Sequence, residues 1–596
     1  IYFDATSTQS CTWNMAGIVV SSFIIQSAYG SSTDGIITLS TDVVLTGNWV
    51  QNGGQYITSA SKLIFVGSNT QEVSGSKQLS GPIVVNNSST VTAVSALIGW
   101  ANGWGPLTIA SGTFRAGNFN HSMNDGFLQT GGSFLAEGST FTFSGAGLTQ
   151  NITMSTGNPF NHFKINTTTS VTAQSALDIN GFFTLTGGTF VPGGFAHTVG
   201  GDWNETGGTF QMSAGTITFD GTAKQTVTQL AGNYFYNLNL KNTSAQTVLG
   251  SDIEVRGSIT QDLLPSGQFN LNSKQVTLSG NHNLISGGLN IGGSTLRLNG
   301  TQDQTIAADH NNIIVANSGG AKARITSGAS GISGIRFGIE SGGIFDGRNQ
   351  NFALLNGGDF SSSGTYMNLG GTLTFQGAAN SSLWSVPAST FNTVIVSQSG
   401  GAGILRAQSG LTINGNLVVI STFNLQSYSH VIQGSATVSA GQLDIASSSA
   451  TFNSGLNING GSVLMGGSNP KVNLPVNQRI NVNAGGTFIA STGTLTASDA
   501  IAAMRFFVNG GSISVAGLQI DYIPVAEPAA QIVGGSTVTR FTNVSFGPNA
   551  GGGNKKGLLL ELGGGAYNFS NLIFNYSPPI SYNISAPYLA GNASNY

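Results

Sequence analysis

The chain has 596 residues with 86 Gly, 34 Phe, only 7 % charged residues and a formal net charge of −3, from 20 Lys and Arg against 23 Asp and Glu. That balance argues against a nucleic-acid partner, which requires a dense basic face to replace counterions. With 39 % hydrophobic residues, the chain has the means to bury a core, so its abundant Gly, Ser, Thr and Asn do not signal disorder.

Residues 1–46 open with IYFDATSTQSCTWNMAG, a strand-like segment that reads either as an N-terminal cap or as a strand for pairing with the open sheet edge of a neighbouring copy. Ile1, Tyr2 and Phe3, with Tyr596 at the opposite end, are the candidate assembly residues. Cys11 is the single cysteine, so an intrachain disulfide, a cysteine zinc site and an iron–sulfur cluster are excluded. It is expected to act as a small buried hydrophobe, the alternative being an exposed thiol that pairs between chains. The next stretch, AGIVVSSFIIQSAYG, alternates with Ser and reads as strands, and no apolar run approaches the roughly 18 residues of a membrane helix. A start at Ile1 fits a mature secreted product and a trimmed chain equally.

Residues 47–430 are repetitive. TITFDGTAKQTV (216–227) aligns with STLRLNGTQDQTI (294–306) and with KLIFVGSNTQEV (62–73), placing Phe219, Gly221, Gln225 and Val227 on Leu298, Gly300, Gln304 and Ile306, and on Phe65, Gly67, Gln71 and Val73. STFTFSGAGLTQNI (139–152) and GTLTFQGAANSSL (371–383) follow with small departures, so the anchors Phe65, Phe143, Phe219, Leu298 and Phe375 lie about 77 residues apart. Asp220 in the first motif becomes Val66, Ser144, Asn299 and Gln376 in the others, which marks the motif as a building unit and not a site.

Each repeat consists of short strands broken by Gly, Asn, Asp or Ser, and apolar residues recur at period two. The expected fold is all-β: a parallel β-helix (β-solenoid) with about three coils of 20–25 residues per repeat. Such stacking accounts for the low charge, because outward Thr, Ser, Asn and Gln stack on copies of themselves without repulsion.

Candidate chemistry is sparse. The strongest charged cluster, residues 323–360, holds Arg324, Arg336, Glu340, Asp346, Arg348 and Asp359. Separations of 22 and 23 residues place Arg324 near Asp346 and Arg336 near Asp359 one coil away, and salt bridges outweigh a catalytic groove there. Asp303, Asp309 and His310 read as a turn, the other histidines are scattered, and no catalytic, metal or cofactor site is expected. Trp100 and Trp104 in GWANGWGPL are expected to pack at an irregular coil. Weak glycosylation acceptors are Asn86, Asn151, Asn166, Asn204 and Asn242.

Beyond residue 430 the pattern fades. Residues 431–517 read as degenerate coils, and residues 518–596, richer in Tyr, Asn and Pro, as a C-terminal cap or subunit interface.

The pattern TGGTF…TITFDGTAKQTV…YFYNLNLKN…SDIEVRGSIT resembles the degenerate repeats of secreted bacterial surface β-solenoids, such as filamentous-haemagglutinin-like adhesins and autotransporter passengers. The resemblance implies a structural or adhesive role at the cell surface or in an extracellular fibre. It transfers no catalytic residues. The strand-like N-terminus and the aromatic C-terminus add the expectation of self-association into a filament, with carbohydrate or a host or neighbouring cell surface as further partners. The alternative is a carbohydrate-active β-helix enzyme, a polysaccharide lyase or hydrolase.

Overall fold

A computed structural model describes the chain except for residues 6–9, 28–35, 54, 59–60, 76–78, 80, 99–104, 243–244, 263–267, 285–287, 327–331, 399–402, 476, 498–504, 522–527, 548–555, 563–568, 575–583 and 586–596. The chain is a β-solenoid of about 22 turns, with 58 % strand and no helix among the described residues. It divides into two compact units, Ile1–Ser294 and Thr295–Tyr596.

Period-two patterning produces the strands directly. In Thr216–Phe219, Ile217 and Phe219 are buried while Thr216 and Thr218 face outward. Parallel pairing then sets each inward residue on an inward residue of the next turn: Phe219 lies between Val199 and Leu240. Aromatic rings fill the interior of the first unit, with Phe127, Phe134, Phe141 and Phe160 meeting edge to face at centroid distances of 5.0–5.5 Å. Full burial of each such side chain contributes about 1.5–3 kcal/mol.

The sequence repeat and the structural turn have different lengths. Phe65 pairs with Val85, 20 residues on, and Val85 with Ile109, a further 24. That face continues past Leu107 through Phe127 to Ile152, which leaves Phe143 on another face, between Met123 and Ile165. The face of Phe143 continues through Leu185 to Glu205 and bypasses Phe219. Copies of the motif in the first unit therefore occupy three different faces, and a repeat holds three turns and part of a fourth. This corrects the expectation of about three turns per repeat, because a turn is shorter than one third of the repeat. In the second unit Leu298, paired with Val315, and Phe375, paired with Val396, again belong to different ladders.

The recurring Gly and Gln of the motif form a buried clamp between turns. Gln225 Nε2 donates to the carbonyls of Val199 (2.7 Å) and Gly201 (2.9 Å), and Oε1 accepts the backbone N–H of Gly221 (3.0 Å). From the next turn, Asn242 donates to the same Oε1 (3.0 Å) and to the Ala223 carbonyl (2.7 Å). Gln71 with Asn87 and Gln304 with Asn317 repeat the arrangement. In the fifth copy Ser381 replaces the glutamine, and Gln398 reaches back to Ser381 Oγ (2.8 Å) and the Ala379 carbonyl (2.9 Å). Long and short side chains have exchanged places while the bridge survives.

Candidate functional site

The charged cluster folds into ladders on the second unit. Strands Gln304–Ile306, Ala323–Ile325 and Ile344–Arg348 stack in parallel, pairing Thr305 with Arg324 and Arg324 with Asp346. Arg324 binds Asp346 through Nε at 3.1 Å and Asp303 through Nη1. The Lys322 backbone N–H and the Arg324 guanidinium hold the Asp303 carboxyl below its ordinary range. Arg297 grips Glu340 through Nη1 and Nη2, and this contact lowers the Glu340 carboxyl likewise.

Arg336 and Asp359 are register partners, as their spacing suggests. Asp359, however, accepts the Ser382 backbone N–H (2.9 Å) and hydroxyl (2.7 Å), while Arg336 is exposed. The Asp346 carboxylate also takes the Arg348 backbone N–H at 3.2 Å. The carboxylates of this cluster are thus engaged by arginines, hydroxyls and backbone N–H groups. Among the described residues no group of three or more His, Cys, Asp or Glu is arranged to hold a metal ion.

Several buried titratable groups elsewhere bond backbone and side chains of neighbouring turns. His121 Nε2 donates to the Ala116 carbonyl (2.8 Å) and Nδ1 accepts the Leu97 N–H (3.1 Å). His197, at the matching position one repeat later, binds Pro192 and Leu177 in the same way. Burial pushes His121 and His430 down to about 4, and lowers His197. Glu205 lies in the core with Trp203 Nε1 (2.7 Å), the Leu230 N–H (3.0 Å) and Asn233 Nδ2 (2.7 Å) donating to it. Burial raises its carboxyl above the ordinary range despite these donors.

The N-terminal turn gathers several exposed apolar side chains. Strands Tyr2–Ala5, Ser10–Trp13 and Val19–Val20 pair with Phe23–Ser27, Ile36–Leu39 and Val43–Leu45 on one side. Among the described residues nothing pairs with their outer edges. Phe3 stacks on Phe23 at 5.4 Å, whereas Ile1, Tyr2, Met15, Ile18 and Val19 are exposed, Tyr2 and Val19 to 57 %. Cys11 pairs with the buried Ile37, yet it is exposed and free. This corrects the expectation of a buried thiol: the position is a core one, but no described turn covers it from outside.

Asn86, Asn151, Asn166 and Asn204 are exposed on outward positions. Asn242 is buried in the clamp, its amide committed to Ala223 and Gln225. Trp100, Trp104 and Tyr596 lie outside the described residues. The clamp itself was visible in the sequence only as a recurring Gln. Its partner, 13 to 17 residues downstream, varies between Asn and Gln and carries no spacing signature.

Fold and site together define a repeat-built parallel β-solenoid in which the clamp and the carboxylates of the charged cluster bond its own turns. No family model, no curated protein and no solved structure matches the chain.

Proposed function

We propose that the chain is an extracellular structural or adhesive β-solenoid, a subunit of a surface fibre that assembles through its terminal regions. The observation that supports this reading is the N-terminal turn, with three strand edges that nothing among the described residues pairs, beside exposed Ile1, Tyr2, Ile18 and Val19. Unpaired edges bordered by apolar side chains are templates for strand addition. The sparse charge, 7 % of residues in the whole chain, supports placement outside the cell. The ion-paired state of Arg324, Asp346 and Glu340 weighs against a polysaccharide-cleaving groove.

Negative-stain electron microscopy of the purified chain tests the proposal. Fibres are expected, and the Tyr2→Lys/Val19→Lys double variant should shorten or abolish them. Monodisperse particles at high concentration, or fibres unchanged in the variant, would sink it. Turnover of an acidic polysaccharide that disappears in Asp346→Ala would replace it with the catalytic reading.

A further inference from the structure

The repeats offer five internal versions of the same core positions. One position is the register partner of the clamp residue: Val91 opposite Gln71, Val171 opposite Gln150, Thr247 opposite Gln225, Ala323 opposite Gln304 and Leu405 opposite Ser381. A second lies two turns beyond each anchor: Ile109, Leu185, Gln261, Ile339 and Val419. Four copies hold buried apolar residues at both positions. The third copy alone is polar, and at both positions together.

Thr247 and Gln261 line one pocket in the first unit, floored by Leu240 and Phe269, with Asp262 and Gln268 among its lining residues. Among the described residues the Thr247 hydroxyl and Gln261 Oε1 are enclosed without a hydrogen-bond partner, and Thr247 is only 1 % exposed. The Gln261 amide nitrogen reaches the Gly288 carbonyl at 3.4 Å, which leaves Oε1 aside. A buried polar atom without a partner costs about 1–3 kcal/mol. Two of them on residues that line one small pocket, where sister repeats place apolar side chains, point to an occupant. An amide oxygen only accepts, so that occupant must donate a hydrogen bond.

We propose that this pocket is a binding site for a hydroxyl group, seated between Thr247 Oγ1 and Gln261 Oε1. The space takes one water-sized group. The O–H is therefore supplied by a trapped water or by a single hydroxyl of a polyol or sugar entering from the surface. This inference is independent of fibre assembly.

A double-mutant cycle on the full chain tests it, using the residues of the sister repeats. With the site occupied, Thr247→Val and Gln261→Leu should each lower Tm, and the double variant should regain much of the loss. Shifts that add, in either direction, or single variants that raise Tm, would overturn the proposal. Should a single variant fail to fold, a crystal structure of the unaltered chain decides: a density peak within hydrogen-bonding distance of both oxygens is expected, and its absence refutes the site. Titration with glycerol and with methyl glucoside separates the sources. A rise in Tm confined to the unaltered chain assigns the hydroxyl to an external ligand, and equal responses in the double variant assign it to resident water.

Discussion

At the residue scale, stability depends on polar side chains used inside the stack. Gln225 satisfies two carbonyls, one backbone N–H and the Asn242 amide. Gln225→Ala would leave these groups buried without partners, so a loss of about 3 kcal/mol or more is expected, read as a lower denaturation midpoint. The histidines give a pH dependence of definite sign. In the folded chain His121 and His430 sit near 4, below the roughly 6.5 of an unfolded chain. The unfolded state therefore binds more protons between about pH 6.5 and 4, and stability falls as pH drops through that window. Each histidine accounts for a loss on the order of 3 kcal/mol when fully protonated. Glu205, raised by burial, acts in the opposite sense across the carboxyl range. The check is therefore a difference: His121→Gln should flatten the decline in denaturation midpoint between pH 7 and 4.5 relative to the unaltered chain.

At the element scale, the corners between strands decide which turns can stack. A Cβ on Gly221 would lie 2.2 Å from the Gly200 carbonyl oxygen and 2.8 Å from Gln225 Cδ, so the motif glycine marks a close approach between turns. Gly221→Ala should cost about 1–3 kcal/mol through overpacking. Gly194→Ala is the control: its Cβ would meet only Ala214 Cβ at 3.6 Å, and a neutral or slightly higher thermal midpoint is expected because the unfolded chain loses freedom. Equal losses in both variants would show that close approach at the corner is not the cause. The strands were legible in the sequence because period-two alternation, as in TITF, follows from a sheet with one face inside. The faces they occupy were not, because a strand does not record how many residues its turn consumes.

At the scale of the whole molecule, the repeat of about 77 residues announced a solenoid, and the low charge followed from stacked outward positions. Fibre growth through the apolar first turn should persist in 0.5 M salt, since apolar contact and backbone pairing would carry it; dissolution by salt, seen by light scattering, would assign it to charges instead. Composition and periodicity alone determined the all-β class, the parallel stack and the structural nature of the 216–227 motif, because a core shared between neighbouring turns imprints a regular alternation on every strand. Only the tertiary structure decided that Cys11 is exposed, that Asn242 is enclosed, that Asp359 bonds Ser382, and that Thr247 and Gln261 meet in one pocket. Those outcomes depend on turn length, which sets which residues separated by a whole coil come face to face.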